Sequence, residues 1–116
     1  MAINRISYPR PHSLPAFECR VLHSDGTGAA EVRGELDMQT APELQRVLEG
    51  LVRSGHGDIS VDCSGLTFID SSGLAVFTLI DKLLGSRSSH IRLVGVNSAC
   101  RRTFVVTKLD YLLDDA

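Results

Sequence analysis

The fold is decided by residues 58–84, which read DISVDCSGLTFIDSSGLAVFTLIDKLL. Apolar and polar residues alternate over 58–63, and this period of two predicts a strand with one buried face. A second short apolar run, 66–69, follows a Ser-Gly pair and leads into the polar loop 70–73. Residues 74–84 are apolar nearly all round and predict a helix that is either well buried or keeps part of one face for a partner.

The same order of strand and helix precedes this segment. Residues 16–23 and 29–34 predict two short strands, joined by the turn-rich cluster SDGTG. Residues 37–40 offer helix-start side chains, and Pro42 fits the first helical turn because its missing N–H costs nothing there. Leucine and valine then recur at helical spacing over 44–52, before glycines end the helix. The first half of the chain therefore predicts a β-hairpin followed by a helix.

Strand and helix alternate again after the central segment. Residues 91–96 predict a strand, Asn97 and Ser98 can cap a third helix over 99–107, and 109–113 predicts a last edge strand. Three strand–helix repeats after an initial hairpin indicate a single α/β domain. We expect its sheet to be mixed, mostly parallel and packed with helices.

The composition is typical of one globular domain. Of 116 residues, 43% are hydrophobic and 22% are charged, and the formal net charge is −2, which leaves no electrostatic footprint for nucleic acid. The longest apolar run, 74–80, is too short to span a bilayer, so we expect no direct membrane insertion. Residues 1–15 contain three prolines and no secretory signal pattern, and predict a flexible N-terminal arm. Three scattered cysteines favour a reducing cytoplasm over a disulfide scaffold.

The polar loop 70–73, Asp-Ser-Ser-Gly, lies where functional loops of parallel sheets gather, at the carboxyl end of a strand. Residue type and position leave two interpretations of Ser71 open. Its hydroxyl can cap free backbone N–H groups at the start of the helix. A phosphate on the same hydroxyl would meet those N–H groups and the positive end of the helix dipole.

The residue pattern does not support enzymatic chemistry, and we expect no catalytic residue, no metal and no cofactor. Ser71 lacks the first glycine of the Gly-x-Ser-x-Gly elbow of serine hydrolases, and no histidine is tied to it by spacing. Cys19 and His23 lie roughly 13 Å apart along a strand, too far to share a metal. The glycine-rich lysine loop that holds nucleotide phosphates is missing from the sequence.

Three motifs in the right order resemble those of the STAS-domain anti-anti-sigma factors. Residues 62–74, DCSGLTFIDSSGL, closely resemble the signature of that family. Residues 34–37, GELD, resemble its second short motif, just before the first helix. Residues 101–102 and 109–110 resemble its third-helix segment. The resemblance covers roughly residues 17–113.

The resemblance implies a STAS domain over residues 16–116 and a partner-switching cycle. In that family the unphosphorylated protein binds an anti-sigma factor that is itself a serine kinase, and a sigma factor is released. The kinase phosphorylates the first serine of the loop, which is Ser71 here with Ser72 as second choice, and a serine phosphatase restores binding. ATP and magnesium belong to the kinase. Two alternatives also fit a STAS domain: a scaffold subunit of a stress-sensing assembly, or an accessory subunit of a membrane transporter.

The resemblance also implies a partner-binding surface, formed by Asp37, Asp70, Ser71, Ser72 and Gly73. For Asp37 and Asp70, capping of a helix is an equal alternative. Gly73 either lets a partner backbone approach closely or eases a tight start of the helix. The sequence alone does not distinguish between these alternatives.

Two further features concern cysteine and lysine. Cys63 is predicted to end a strand and Cys100 to start the third helix, so both would lie at one end of the sheet. A disulfide between them would clamp the flank of the 70–73 loop and make switching redox-sensitive, whereas the alternative is two small buried residues in a reducing cell. Lys108 stands where the family often has a glycine ending the third helix, which leaves that helix boundary open.

Overall fold

The computed structural model describes residues 17–23, 27–55 and 57–114. Their elements in chain order are β1 (Glu18–His23), β2 (Gly28–Leu36), α1 (Ala41–Arg53), β3 (Ile59–Ile69), α2 (Ser71–Gly85), β4 (Ile91–Val94), α3 (Ser98–Val106) and a 3₁₀ turn (Asp110–Leu112). The predicted N-terminal arm, 1–15, lies outside the described residues, as do positions 24–26 of the predicted hairpin turn.

The four strands form one mixed sheet in the order β1-β2-β3-β4. β1 is antiparallel to β2, whereas β2 pairs in parallel with β3 and β3 with β4. The prediction of a single α/β domain with a mostly parallel sheet is therefore confirmed. Both crossovers, through α1 and through α2, step to the next strand in the same direction. With right-handed crossovers, this places the two helices on one face of the sheet.

The core lies between that face and the helices. Side chains of β2 and β3 alternate between buried and partly exposed, as expected when one face of a sheet is covered. α3 joins the same layer, because Phe104 packs against Phe77 of α2 with 6.4 Å between the ring centroids. The opposite face is charged, with Arg20 bonded to Glu31 at 2.9 Å.

The sequence predicted that α2 is either well buried or keeps part of one face for a partner, and the helix has features of both. Its buried line is large and apolar and includes Phe77 and Ile80, which have no exposed surface. A second line, starting at Ser71 and continuing through Ala75 to Leu83, faces outward, and Leu83 is 39% exposed. The helix is therefore mostly buried but keeps a narrow, weakly polar outer stripe.

Strand β3 is longer than predicted, because the Ser-Gly pair does not interrupt it. Residues 59–69 form one strand with two single-residue irregularities against β2, one near Gly65 and one near Thr67. A Cβ at Gly65 would lie 2.9 Å from the side chain of Arg33, so glycine lets that side chain cross the strand. β4 pairs only with residues 59–62, and β3 thus extends beyond it towards the 70–73 loop.

The predicted last edge strand over 109–113 is wrong. The chain forms a 3₁₀ turn there, and only Leu113 bridges to Leu93 of β4. The backbone N–H of Asp114 donates to the Leu93 carbonyl at 2.8 Å, and the Asp81 carboxylate accepts the N–H of Ile91 at 3.1 Å. This edge of the sheet is therefore covered by a short terminal segment and one side chain.

Candidate functional site

Asp70 caps helix α2. Its backbone is extended, and its Oδ1 accepts the backbone N–H of Ser72 at 2.9 Å and that of Gly73 at 3.4 Å. Its own N–H donates to the carbonyl of Leu36 at the end of β2, at 3.2 Å. The cap therefore satisfies two free N–H groups of the helix and fastens the 70–73 loop to the neighbouring strand.

Ser71 is the first residue of α2 and is exposed to solvent. The capping interpretation of Ser71 is wrong, because Asp70 performs that role. Within the described part of the chain, no hydrogen bond involves the Ser71 hydroxyl. Ser72 is half-buried, and its backbone N–H is the closer of the two donors to Asp70. Of the two serines, Ser71 is the more accessible to another protein.

Gly73 is buried beneath the loop. A Cβ at this position would lie 2.6 Å from the Leu36 side chain and 3.0 Å from that of Ile69. No real side chain tolerates 2.6 Å without movement of its neighbours. The tight start of α2 against β2 therefore accounts for glycine here, and this alternative is favoured over contact with a partner backbone.

Asp37 holds the turn between β2 and α1, residues 37–40. Its Oδ1 accepts the backbone N–H of Gln39 at 2.9 Å and that of Thr40 at 3.1 Å. In return, the Thr40 hydroxyl accepts the N–H of Asp37 at 2.9 Å and lies 2.8 Å from the Glu35 carbonyl, to which it can donate. These reciprocal bonds hold the turn ahead of α1, whose own N-cap, Thr40, makes no side-chain cap bond to the helix. Asp37 thus stabilises the turn before the helix instead of capping the helix itself.

The 37–40 turn and the 70–73 loop lie side by side. Leu36 pairs with Ile69 in the parallel ladder, so the turn and the loop leave the sheet from adjacent strand ends. The structure therefore brings Asp37, Asp70 and Ser71 to one end of the molecule.

Sequence reasoning missed Met38, which belongs to the same surface. Its side chain is 74% exposed, the largest exposure among the large hydrophobic side chains of the described residues. The available signal was a long apolar residue in a turn that otherwise consists of polar helix-start residues. Phe68, at the end of β3, is also 46% exposed.

Comparison with known proteins assigns the chain to a family. The sequence profile described as "Mlab, STAS domain" matches residues 19–114, which is most of the chain. The chain belongs to the STAS-domain family. The resemblance of its motifs is thereby confirmed.

Individual relatives of this STAS domain have related names. An anti-sigma-B factor antagonist of Staphylococcus aureus is 35% identical over 83 residues, 72% of this chain and 77% of that protein. The crystal structure of an anti-sigma factor antagonist from Mycobacterium paratuberculosis is 28% identical, with a TM-score of 0.78 and 87% of each chain covered. The Bacillus cell fate determinant SpoIIAA in its phosphorylated form shares the fold, with 22% identity, a TM-score of 0.66, and 87% of this chain and 91% of that chain covered.

The two cysteines of the predicted redox pair are buried in this STAS domain. Cys63 and Cys100 are buried free thiols, and Cys63 lies in the middle of β3, so the prediction that it ends a strand is wrong. Burial raises the pKa of both thiols, and the negative charge of Asp62 raises that of Cys63 further. Because the thiolate is the reactive form, this environment slows oxidation. A Cys63–Cys100 disulfide stays a prediction.

The described residues give no support for a metal site or for a membrane-spanning helix. No three His, Cys, Asp or Glu side chains are grouped there so that they could hold a metal ion. The described helices include none with the length and apolar character needed to cross a membrane. The end of the sheet that carries Ser71 is therefore the candidate functional site.

Proposed function

We propose that this STAS domain is a cytoplasmic anti-sigma factor antagonist that is switched by reversible phosphorylation of Ser71. In its unphosphorylated form it binds an anti-sigma factor with serine kinase activity, and a sigma factor is released. The kinase then phosphorylates Ser71, and a serine phosphatase reverses the modification. The protein itself is the substrate of both enzymes and catalyses neither step.

The observation that carries the proposal is the division of labour between Asp70 and Ser71. Asp70 accepts the two N–H groups at the start of α2, and Ser71 is left exposed with no bond to its hydroxyl among the described residues. A hydroxyl that the fold does not need can be modified without breaking the helix cap. The names of the Staphylococcus and Mycobacterium relatives support the partner class, and the phosphorylated SpoIIAA structure supports the kind of modification.

Electrostatics accounts for the loss of binding on phosphorylation. At pH 7 a phosphate adds about −1.5 to −2 charge. It would lie beside the Asp70 carboxylate, which already accepts the N–H groups of Ser72 and Gly73. In the free protein, water hydrates the phosphate. In a complex, the N–H groups of Ser72 and Gly73 are not available to bind it, because they already donate to Asp70. A hundredfold loss of affinity needs only about 2.7 kcal/mol, which like-charge contact and desolvation at an interface can supply.

The experiment measures binding to purified serine-kinase anti-sigma factors encoded in the same genome, tested one by one. We expect one kinase to bind wild type and Ser71→Ala and, with ATP and magnesium, to phosphorylate wild type at Ser71 by mass spectrometry. Ser71→Glu should lose binding by roughly a hundredfold, the effect of about 2.7 kcal/mol. Its melting temperature should stay within a few degrees of wild type, because a carboxylate near a helix N-terminus is favoured by about 0.3–1 kcal/mol.

Ser98 provides a matched control. It is also an exposed serine at the first position of a helix, and it also follows a side-chain cap, Asn97, whose oxygen accepts the N–H of Cys100 at 2.9 Å. Ser98→Glu should keep full binding. Equal binding of wild type and Ser71→Glu, or phosphorylation at any residue other than Ser71, would contradict the proposal. Recovery of the chain in a megadalton particle, or with a membrane ATPase, would instead favour one of the two alternative functions.

A further inference from the structure

Met38 is an exposed apolar residue in a turn that is closed by hydrogen bonds. Asp37 and Thr40 exchange hydrogen bonds across the turn, and the Thr40 hydroxyl also contacts the Glu35 carbonyl at 2.8 Å. All these bonds use backbone groups or the side chains of Asp37 and Thr40, so the turn does not require methionine. The exposed fraction of Met38, 74%, also shows that its side chain adds little to the core.

The position of Met38 relates it to Ser71. Met38 is the second residue after Leu36, and Ser71 is the second residue after Ile69, and Leu36 pairs with Ile69. The bond from the Asp70 N–H to the Leu36 carbonyl, 3.2 Å, joins the turn to the loop. The turn that carries Met38 and the loop that carries Ser71 therefore leave the sheet from adjacent strand ends, within reach of one docking protein.

The carboxylates nearby turn towards the backbone. Asp37 and Asp70 each accept two backbone N–H groups through one oxygen, and both are only half exposed. Their negative charge is thereby partly neutralised by N–H dipoles. Beside them the surface offers neutral groups, namely the hydroxyl of Ser71, the methyl group of Ala75, the thioether of Met38 and the amide of Gln39, all on exposed residues. This local surface fits a partner with an apolar recess better than one with a cluster of charges.

We propose that Met38 is a specificity-determining contact, which inserts into an apolar recess of the anti-sigma factor next to Ser71, and that Asp37 is the positioning residue that presents it. The inference rests on the proposed function and deepens it. A flexible thioether side chain adapts to an irregular recess. When Met38 enters the recess, water is excluded from the neighbouring part of the interface. A phosphate on Ser71 would then lose part of its hydration, which makes its double negative charge harder to accommodate.

The experiment uses the full chain and the kinase anti-sigma factor that binds wild type, and it measures Kd by biolayer interferometry. Met38→Ala should weaken binding about tenfold, as is common for a buried interface anchor. Met38→Leu should stay within about twofold of wild type, because it keeps the apolar volume. Val106→Ala is the matched control: Val106 is 72% exposed but ends α3, away from the 70–73 loop, and its truncation should leave Kd unchanged.

Asp37 is tested by two variants that differ in hydrogen bonding. Asp37→Asn keeps an oxygen that can accept the N–H groups of Gln39 and Thr40, and should bind within about threefold of wild type. Asp37→Ala removes that oxygen, and should weaken binding as much as Met38→Ala. Combining Asp37→Ala with Met38→Ala should add little further loss, since both act through the same contact. Equal losses for Asp37→Asn and Asp37→Ala would show that the charge of Asp37 matters instead.

The outcomes separate this inference from the proposed function. If Met38→Ala binds like wild type while Ser71→Glu does not bind, Met38 is not a contact and the phosphorylation switch stands. If Ser71→Glu binds like wild type, the proposed switch itself is wrong. If no kinase in the panel binds wild type, both are overturned. Melting curves of each variant test whether unfolding causes a loss of binding, and Met38→Ala should melt close to wild type because Met38 is exposed.

Discussion

One oxygen of Asp70 and one oxygen of Asp37 each bind two backbone N–H groups, so the two carboxylates at this site act first on their own chain. Asp70 has an extended backbone, with φ −120° and ψ −170°, which is the conformation of an N-cap residue. Ser71 is already helical. Asp70 caps the helix because its backbone is extended, whereas Ser71 already has the helical backbone of the first turn.

Gly73 gives the first prediction at the residue scale. Gly73→Ala should destabilise the fold by about 1–3 kcal/mol, because the added Cβ would lie 2.6 Å from Leu36. Alanine favours helix by about 1 kcal/mol over glycine, and the clash must outweigh that gain. Gly85→Ala is the matched control, since a Cβ there meets nothing within 4 Å. Urea denaturation measures both, and a Gly73→Ala variant as stable as wild type would contradict the packing argument.

The sequence predicted where the site lies but not how its residues divide the work. The motif around 70–73 and the turn at Asp37 were both identified, and they meet at one end of the sheet. Asp and Ser are equally good N-caps, so neither residue type could decide which of Asp70 and Ser71 caps the helix. Met38 was missed because its exposure depends on tertiary structure: a lone apolar residue in a turn has no periodic pattern that would reveal which way it faces.

At the scale of elements, helix α3 shows how a boundary can be kept without its usual residue. The helix ends at Val106, and Lys108 adopts a left-handed φ of +63°. The N–H of Leu109 donates to the Phe104 carbonyl at 2.8 Å, and the N–H of Lys108 to the Val105 carbonyl at 3.1 Å. This is the Schellman pattern, in which glycine is the usual residue at the left-handed position. The helix boundary left open in the sequence is therefore the glycine-type ending, made here by lysine.

Lys108 gives the second prediction. Lys108→Gly should stabilise the fold by about 0.5–1 kcal/mol, because the left-handed conformation costs a lysine about 1–2 kcal/mol and part of the gain is lost to a more flexible unfolded chain. Lys108→Ala is the control, since alanine retains a Cβ and hence the strain. Thermal melting of the three proteins measures the effect. A decrease in melting temperature for Lys108→Gly would show that the lysine side chain matters more than its backbone.

Two errors of element assignment share a physical cause. The Ser-Gly pair at 64–65 has the composition of a turn but forms an irregularity within β3, where Gly65 makes room for Arg33. Residues 109–113 have the apolar content of a strand but form a 3₁₀ turn. In both cases short-range composition is ambiguous, and contacts with distant residues decide the outcome. The Asn97 cap of α3, whose bond to the Cys100 N–H is local, was predicted correctly.

At the scale of the whole molecule, burial of cysteine thiols makes the stability of the fold depend on pH in the alkaline range. Burial raises the pKa of the Cys19 thiol to about 12, and that of Cys63 is raised as well. In the unfolded chain a thiol loses its proton near pH 8.5. The folded state thus retains protons that the unfolded state releases, so this contribution to stability is full below about pH 8.5 and decreases as pH rises.

The third prediction follows from this proton retention. The free energy of unfolding of wild type should fall between pH 8 and pH 10.5, by at most about 1.4 kcal/mol per pH unit for each such thiol. Cys19→Ala should reduce the slope, because Cys19 then no longer titrates. Val21→Ala, a change on the same strand β1, should leave the slope unchanged. Urea denaturation across this pH range measures the three slopes, and parallel curves for wild type and Cys19→Ala would contradict the argument.

The covered edge of β4 has a consequence for crowded conditions. An uncovered strand edge is a template on which other chains can extend a sheet. Here the Ile91 N–H is bound by Asp81 and the Leu93 carbonyl by the Asp114 N–H, so two of the groups that an incoming strand would use are already occupied. Many copies can therefore accumulate side by side without stacking into fibres from this edge, and a single aspartate of α2 does part of the work of an additional strand.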